Sequence, residues 1–363
     1  LPSSIRQHYR GRPGEYNGLR KTQRRRKLLR KYISRLVEGE SLSPQEAQEA
    51  MSLILDEKIS PWQAGGFLVA LQIKGLTSQE LLGCALAMKE RAVFIKPTRE
   101  DLVDISGTGG DPWGTFNIST TAAFVVAGAG LAVAKHGARA VASKCGSAEL
   151  LNALGVNLNL NPEKISRCID EIGIGFIYAP SFHPALHHVL QARKEIGVRT
   201  VLDLLGPLVN PAGAKKQVLG LYDGRLTEIV AQTLKALGSQ SAFVVYGADG
   251  LDELSTTGVN KVSRLERGTI TTFPLDPTEL GLAKAKLSDL QGGEPEENAA
   301  ITRAILSGEK GPRRDIVVLN AAAAILVGGK ASSLEEAIEM AKESIDSGRA
   351  MEKLNQLVQF TNR

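Results

Sequence analysis

The sequence predicts an α/β fold in which a small N-terminal helical domain precedes a large α/β domain with a mostly parallel sheet. Three observations predict it. From about Gln23 to Glu90 apolar residues recur at helical spacing and no convincing strand interrupts them. After Pro97 short β-rich runs alternate with helical segments, the pattern of a parallel sheet covered on both faces. Finally, 37 glycines against 5% aromatic residues suit close backbone packing and glycine loops. A length of 363 residues gives room for two domains. We place a basic flexible arm at 1–22 and the helical domain at 23–96, joined by about 183–210. The large domain then takes 97–182 and 211–363.

In the helical part, Ser43-Pro44-Gln45-Glu46 reads as an N-cap, a first-turn proline and an acidic third position. Ser60-Pro61-Trp62-Gln63 repeats that opening ahead of an apolar run to Ile73, and Thr77-Ser78-Gln79-Glu80 starts a third helix. In the large part, strands are expected at Leu102–Ile105, Leu131–Ala134, Phe176–Tyr178, Val218–Tyr222 and Ala242–Tyr246. Helices are expected from Ile118, at Ala148–Leu154, Pro162–Ile172, Pro184–Ile196 and Leu226–Leu237, and near Glu297–Leu306, Ile316–Leu326 and Leu334–Ser347. Val198–Leu205 follows the fourth of these and stops at Gly206-Pro207, and a hairpin is expected around Gly268.

Composition excludes several classes. The nearly uncharged stretch Thr120–Ala134 is 15 residues long and broken by Gly128 and Gly130. That falls short of the roughly 20 apolar residues that span a bilayer, and no secretory leader is expected. Cys84, Cys145 and Cys168 are odd in number and form no C-x-x-C pair, against a disulfide framework and pointing to a reducing cytoplasm. Residues 1–36 hold 12 Lys and Arg against the single acid Glu15, so +11 of charge sits in a chain whose net is +5. The basicity belongs to the arm, which reads as a solvated extension, an organelle-type leader or a nucleic-acid contact.

Four clusters carry chemistry. Asp104-Ile105-Ser106-Gly107-Thr108-Gly109-Gly110-Asp111 is a glycine loop between a strand and a helix, suited to turn N–H groups toward an anion. Pro112 stands where a dinucleotide fingerprint needs glycine, and Gly329-Lys330 lacks the upstream glycine of a Walker loop. The continuation Thr115-Phe116-Asn117-Ile118-Ser119-Thr120 offers hydroxyls and an amide that can cap the helix or meet phosphate or metal. Lys135 through Ser147, with three cations, follows the next strand and so opens at the same sheet edge as a second anion cradle. Asp249-Gly250-Leu251-Asp252-Glu253 follows a further strand, and its carboxylates suit Mg²⁺. His183 and His187 have the spacing of two zinc ligands but lack the intervening Glu and a third ligand, so zinc is not expected. Arg193 further along that segment could clamp a carboxylate.

Taken in order, Asp104–Asp111, Asn117–Thr120, Lys135–Ser147 with Ala148-Glu149-Leu150-Leu151, His183–Arg193, Arg199–Pro211 and Gly250–Glu253 resemble the anthranilate phosphoribosyltransferase family. The resemblance runs from about Leu29 to the C-terminus and implies the nucleoside phosphorylase and phosphoribosyltransferase type of fold. It implies transfer of phosphoribosyl from 5-phosphoribosyl 1-diphosphate to the amine of anthranilate in tryptophan biosynthesis, by a homodimer using two Mg²⁺ per subunit. The donor site so implied comprises Gly107, Gly110, Asp111, Thr115, Asn117, Ile118, Ser119 and Thr120. It continues through Lys135, His136, Gly137, Ala138, Arg139, Ala140, Val141, Ala142, Ser143 and Ser147. Gly107, Ala138 and Arg193 would face anthranilate, and Ser119, Asp252 and Glu253 would hold the metal, with no residue assigned as a general base. The family usually has asparagine after Lys-His-Gly, where this chain has Ala138, so weaker capture of the acceptor is expected. A related phosphorylase, a transferase for another aromatic amine, and a non-catalytic paralogue binding nucleic acid through the arm are the alternatives.

Overall fold

A computed structural model describes residues 25, 27–56, 59–109, 113–140, 144–186, 189, 193 and 195–363. The arm at 1–22 lies outside the described residues. The chain divides into two compact units, one holding the residues up to Glu90 with Ala185–Leu202, the other Arg91–Pro184 with Asp203–Arg363.

The first unit is built from helices α1 (27–37), α2 (Pro44–Leu55), α3 (Pro61–Lys74) and α4 (Ser78–Lys89). Their starts follow local chemistry. The Ser43 hydroxyl accepts from Glu46 N while Glu46 Oε2 accepts from Ser43 N, and Thr77 and Glu80 repeat that reciprocal cap. Glu80 is fully buried, yet both of its oxygens are used: Oε1 accepts from Leu42 N and Oε2 from the Lys74 ammonium. Gly83 on α4 lies so close to α2 that a β-carbon there would overlap Pro44 O, which lets the two helices meet backbone to backbone. Leu29, Leu36, Met51, Phe67, Leu68, Leu81 and Met88 fill the interior.

The second unit is organised by a seven-stranded sheet in the order β3-β2-β1-β4-β5-β6-β7. Its strands are β1 (Leu102–Gly107), β2 (Ala132–Gly137), β3 (Ile174–Tyr178), β4 (Lys216–Gly220), β5 (Ser241–Tyr246), β6 (Asn260–Glu266) and β7 (Thr269–Leu275). The first five run parallel, and β6 and β7 add an antiparallel hairpin turning at Arg267-Gly268. Strand order reverses at β1, which places its carboxyl end at a topological switch point. The helices are α5 (Ile118–Gly128), α6 (Ser147–Ala153), α7 (Pro162–Ile172), the single turn α8 (Ala179–Phe182) and α9 (Leu202–Leu208). They continue with α10 (Thr227–Leu237), α11 (Pro295–Leu306), α12 (Pro312–Val327), α13 (Leu334–Asp346) and α14 (Arg349–Thr361). Every residue of α5 is buried, as its run of alanine, valine and phenylalanine requires.

Several expectations need correction. Residues 91–96 belong with the sheet unit, because Val93 N donates to Phe182 O, Ile95 N donates to Pro211 O, and Ile95 is buried there. Residues 203–210 do so as well, held by the Asn210 amide on Asp104, as do 183 and 184. The segment that completes the helical unit is therefore 185–202 and not 183–210. Within Val198–Leu205, α9 begins at Leu202. The helix expected over Pro184–Ile196 opens as a 3₁₀ turn at Pro184–Leu186, with residues 189, 193, 195 and 196 helical and the remainder outside the described residues.

Candidate active site

The candidate donor and metal residues lie in the sheet unit, at the carboxyl edge of β1, β2, β4 and β5. Two glycines open the site. A β-carbon on Gly107, which ends β1, would overlap Asp252 Oδ2, and one on Gly220, which ends β4, would overlap Asp252 O. Their absence lets the loop after β5 press its acidic pair against both strand ends. Asp252 Oδ2 then accepts from Gly109 N at 2.6 Å, and Glu253 Oε1 accepts from Ser119 N at 3.1 Å. The glycine loop and the first turn of α5 thus already turn N–H groups toward negative charge. Asp249 is separated from the pair, since its side chain accepts from the Thr257 hydroxyl at 2.8 Å.

Lys135 supplies the positive charge. It is 3% exposed, and its ammonium donates to Ile105 O at 2.7 Å and lies 3.4 Å from Ser119 Oγ. Burial pulls its pKa down, opposed by the nearby Asp104, Glu253 and Asp252. Burial and the neighbouring Asp252 push the Glu253 carboxyl up, with Lys135 acting against them. Three carboxylates thus share one ammonium.

The second cradle is held at its two ends. Gly137 sits close to Phe176 and Ser147, and the Thr120 hydroxyl donates to Ser147 Oγ at 3.1 Å. Glu149 Oε2 accepts from both Ala140 N and Gly146 N, closing the loop over residues 138–146. Ala138 and Arg139 in that loop are exposed. Asn117 points at the same loop, donating from Nδ2 to Cys145 O at 3.0 Å. Thr115 bridges to Gln291 across the base of the glycine loop. Gly110, Asp111, Val141, Ala142 and Ser143 lie outside the described residues. Arg193 belongs to the other unit.

His136 and His183 form an edge-on pair with ring centroids 5.0 Å apart. His136 Nδ1 lies 3.1 Å from Gly206 O, while His136 Nε2 is buried without a partner among the described residues and the His183 ring lies beside the Val209 backbone. Burial holds the imidazole pKa values down, to about 3 for His136 and about 4 for His183. Both rings are neutral at physiological pH.

Against known families, residues 99–351 match the glycosyl transferase family, a/b domain, and residues 30–92 match the helical bundle domain of the same family. The chain is 51% identical over 335 residues to the anthranilate phosphoribosyltransferase of Acetivibrio thermocellus, covering 92% of this chain and 97% of that one. It is 50% identical over 331 residues to the Moorella thermoacetica enzyme of the same name, covering 91% and 98%. The chain belongs to the anthranilate phosphoribosyltransferase family. Among solved members, the Thermus thermophilus structure superposes with a TM-score of 0.87 at 45% identity, covering 92% of this chain and 99% of that one. The Saccharomyces cerevisiae enzyme, solved in complex with PRPP and Mg, superposes with a TM-score of 0.83 at 30% identity, covering 92% and 98%.

The residues that brace these loops carry little signal in the sequence. Gly220 admits Asp252 as Gly107 does. Asn298 on α11 donates to Asn117 Oδ1 and accepts from Gly293 N, tying α11 to the start of α5. Thr108 Oγ1 accepts from Tyr222 N, which fastens the glycine loop to the end of β4. Asp104, read only as the start of a motif, is fully buried beneath Lys135 and His136. Only Gly220 carried a local sequence signal, a glycine closing a β-rich run.

Proposed function

We propose that this chain transfers the phosphoribosyl group of 5-phosphoribosyl 1-diphosphate to the amine of anthranilate, releasing diphosphate, as a step of tryptophan biosynthesis. The observation that carries the reading is the meeting of the glycine loop, the first turn of α5, Lys135 and the Asp252-Glu253 pair at one sheet edge. Those groups are matched to a polyphosphate with a divalent cation and to little else.

The donor set fits Mg²⁺. Asp252 and Glu253 set hard carboxylate oxygens against the glycine loop and the first turn of α5. That suits an ion which keeps several waters and shares the phosphate oxygens of its ligand. We assign two ions per subunit, one on Ser119 and the other on Asp252 and Glu253. When bound, Mg²⁺ offsets the charge that gathers on the departing diphosphate.

The residues of the chain do the remainder by position. Gly107, Gly110, Asp111 and Thr115 take the diphosphate, with Asn117, Ile118, Ser119 and Thr120 beside them. Lys135 to Ser143 and Ser147 take the ribose and its phosphate. Gly107, Ala138 and Arg193 face anthranilate, Arg193 toward the carboxylate. Anthranilate is a neutral aromatic amine, so no general base has to be placed, and holding the amine in line with the anomeric carbon is the main task. A homodimer is supported by Val37, Trp62 and Ile73, large apolar side chains that stand 74%, 86% and 81% exposed on the helical unit. Cys84, Cys145 and Cys168 are all buried thiols, which suits a reducing cytoplasm, and no described helix is long and apolar enough to cross a membrane.

The deciding experiment is a fluorescence assay with 5-phosphoribosyl 1-diphosphate, Mg²⁺ and a panel of aromatic amines. Consumption of anthranilate ahead of every other amine, at a rate dependent on both donor and metal, is expected. Preference for a different amine, or phosphorolysis of a nucleoside, overturns the reading.

A further inference from the structure

The ladder between β1 and β2 is short. Their pairing covers only Leu102 with Ala132 and Val103 with Val133, whereas β1 stays paired with β4 out to Gly107 and β2 with β3 out to Gly137. The β1–β2 ladder therefore stops short of Lys135 and His136, although the two strands stay side by side. Side chains tie them together beyond it. Asp104 Oδ1 accepts from His136 N at 3.2 Å, and Asp104 Oδ2 accepts from Asn210 Nδ2 at 2.8 Å. The same Asn210 amide group donates to Ala134 O at 2.8 Å, and Asn210 Oδ1 accepts from Ala212 N. From the other strand, the Lys135 ammonium crosses to Ile105 O. Asp104 is completely buried and Asn210 is 6% exposed.

We infer that Asp104 is the positioning residue for the donor side of the site, fixing the Ala134–His136 segment directly and through Asn210, and serving as counter-charge to the Lys135 ammonium. The inference rests on the phosphoribosyl-transfer reading above. The side facing β1 gains from such a tie because the β1–β2 ladder stops at Val133, while β3 holds the other side out to Gly137. A carboxylate is the side chain that can take two N–H donors and also favour a charged lysine out of water. Burial raises the Asp104 carboxyl to about 6, and Asn210, Lys135 and the His136 N–H act against that rise. The groups facing it thus favour the ionised form that the clamp requires.

The test is an exchange of the two partners. Asp104→Asn sets an amide NH₂ against the Asn210 NH₂ and removes the charge. The KM for 5-phosphoribosyl 1-diphosphate should rise at least about tenfold, with the KM for anthranilate within about twofold of wild type. The double variant Asp104→Asn/Asn210→Asp restores the donor–acceptor pair and the charge but leaves Ala134 O without its donor. Donor KM should recover most of the loss while the melting temperature does not. That dissociation is one a purely structural role does not produce. Equal rises in both KM values, or recovery of stability without recovery of donor KM, overturns the assignment. Should Asp104→Asn fail to fold, Asn210→Ala keeps the carboxylate and removes the amide that fixes it. About a threefold rise in donor KM is then expected, and no rise overturns the assignment. Calorimetric titration with 5-phosphoribosyl 1-diphosphate and Mg²⁺ separates the two levels. Wild-type protein that binds the donor yet makes no product fails the transferase reading, while unchanged donor affinity across the variants fails the role of Asp104.

Discussion

Gly107 and Asp252 are fitted to one another: the carboxylate of Asp252 occupies the space that any side chain at position 107 would need, and the same loop claims the space at Gly220. The two positions differ in what they would displace. At 107 the first obstacle is a carboxylate oxygen, which can rotate away, with the main-chain Asp252 O close behind it at 2.8 Å, whereas at 220 the main-chain carbonyl itself is overlapped.

Gly107→Ala should therefore cost less stability than Gly220→Ala while displacing the Asp252 carboxylate and losing most of its kcat/KM. Gly220→Ala should cost about 1–3 kcal/mol or more of stability by overpacking. Denaturant unfolding beside steady-state kinetics checks both. Equal losses of stability in the two variants would contradict the distinction.

Asp252→Asn with Glu253→Gln should remove most turnover at saturating Mg²⁺ and abolish the metal dependence of donor binding. In metal-free buffer the same variant should be at least as stable as wild type, because burial and mutual repulsion hold the Glu253 carboxyl well above its usual range. Near-wild-type turnover would sink the metal assignment.

Arg193→Ala should weaken anthranilate binding more than donor binding, since a charge-assisted pair with a carboxylate contributes roughly 1.5–3 kcal/mol. Ala138→Asn should act in the opposite direction, lowering the KM for anthranilate about three- to twelvefold and leaving that for the donor alone. Calorimetry that finds both ligands equally affected by either change would remove the acceptor assignment.

The buried histidines give the large unit a defined pH response. With folded pKa values near 3 and 4, below the ordinary 6.5, His136 and His183 bind more protons when unfolded. Their contribution to stability is fully present above pH 6.5 and is lost as pH falls toward 4. Asp104, raised to about 6, works in the other direction, adding stability as pH falls through 6. Relative to His183→Asn, wild type should lose roughly 2 kcal/mol between pH 6.5 and pH 5. Unfolding curves at the two pH values test this, and a difference that does not change with pH would show that His183 titrates normally.

What the sequence showed of this fold was what neighbouring residues decide among themselves. The caps at Ser43 and Thr77, the strand into Gly107 and the helix from Ile118 all rest on contacts within a few positions. The α14 signal was present too, in Ala350, Leu354, Leu357 and Phe360 on one face. It was passed over because the helix starts at Gly348, in the left-handed region, without a capping side chain. The site was half legible. Loops that present N–H groups and carboxylates have recognisable composition, whereas the residues that brace them do not. Asn210 meets Asp104 from 106 positions away and Asn298 meets Asn117 from 181, and no local pattern marks either. His183 shows the same limit, because its helical spacing pointed to His187 while the sheet brings it to His136.

The full enclosure of α5 has a consequence for how ligand binding is observed. An amide in a helix with no exposed face reaches solvent only when the whole unit opens, so its hydrogen–deuterium exchange reports global stability. Ser119 brings that helix to the site, so a donor bound there should leave no local footprint along it. Instead the interior amides of α5 should slow together, by about a hundredfold when the donor stands at a hundred times its Kd. A single peptide from the middle of this helix, followed by mass spectrometry, would then serve as a direct gauge of donor affinity in a protein that has made no product.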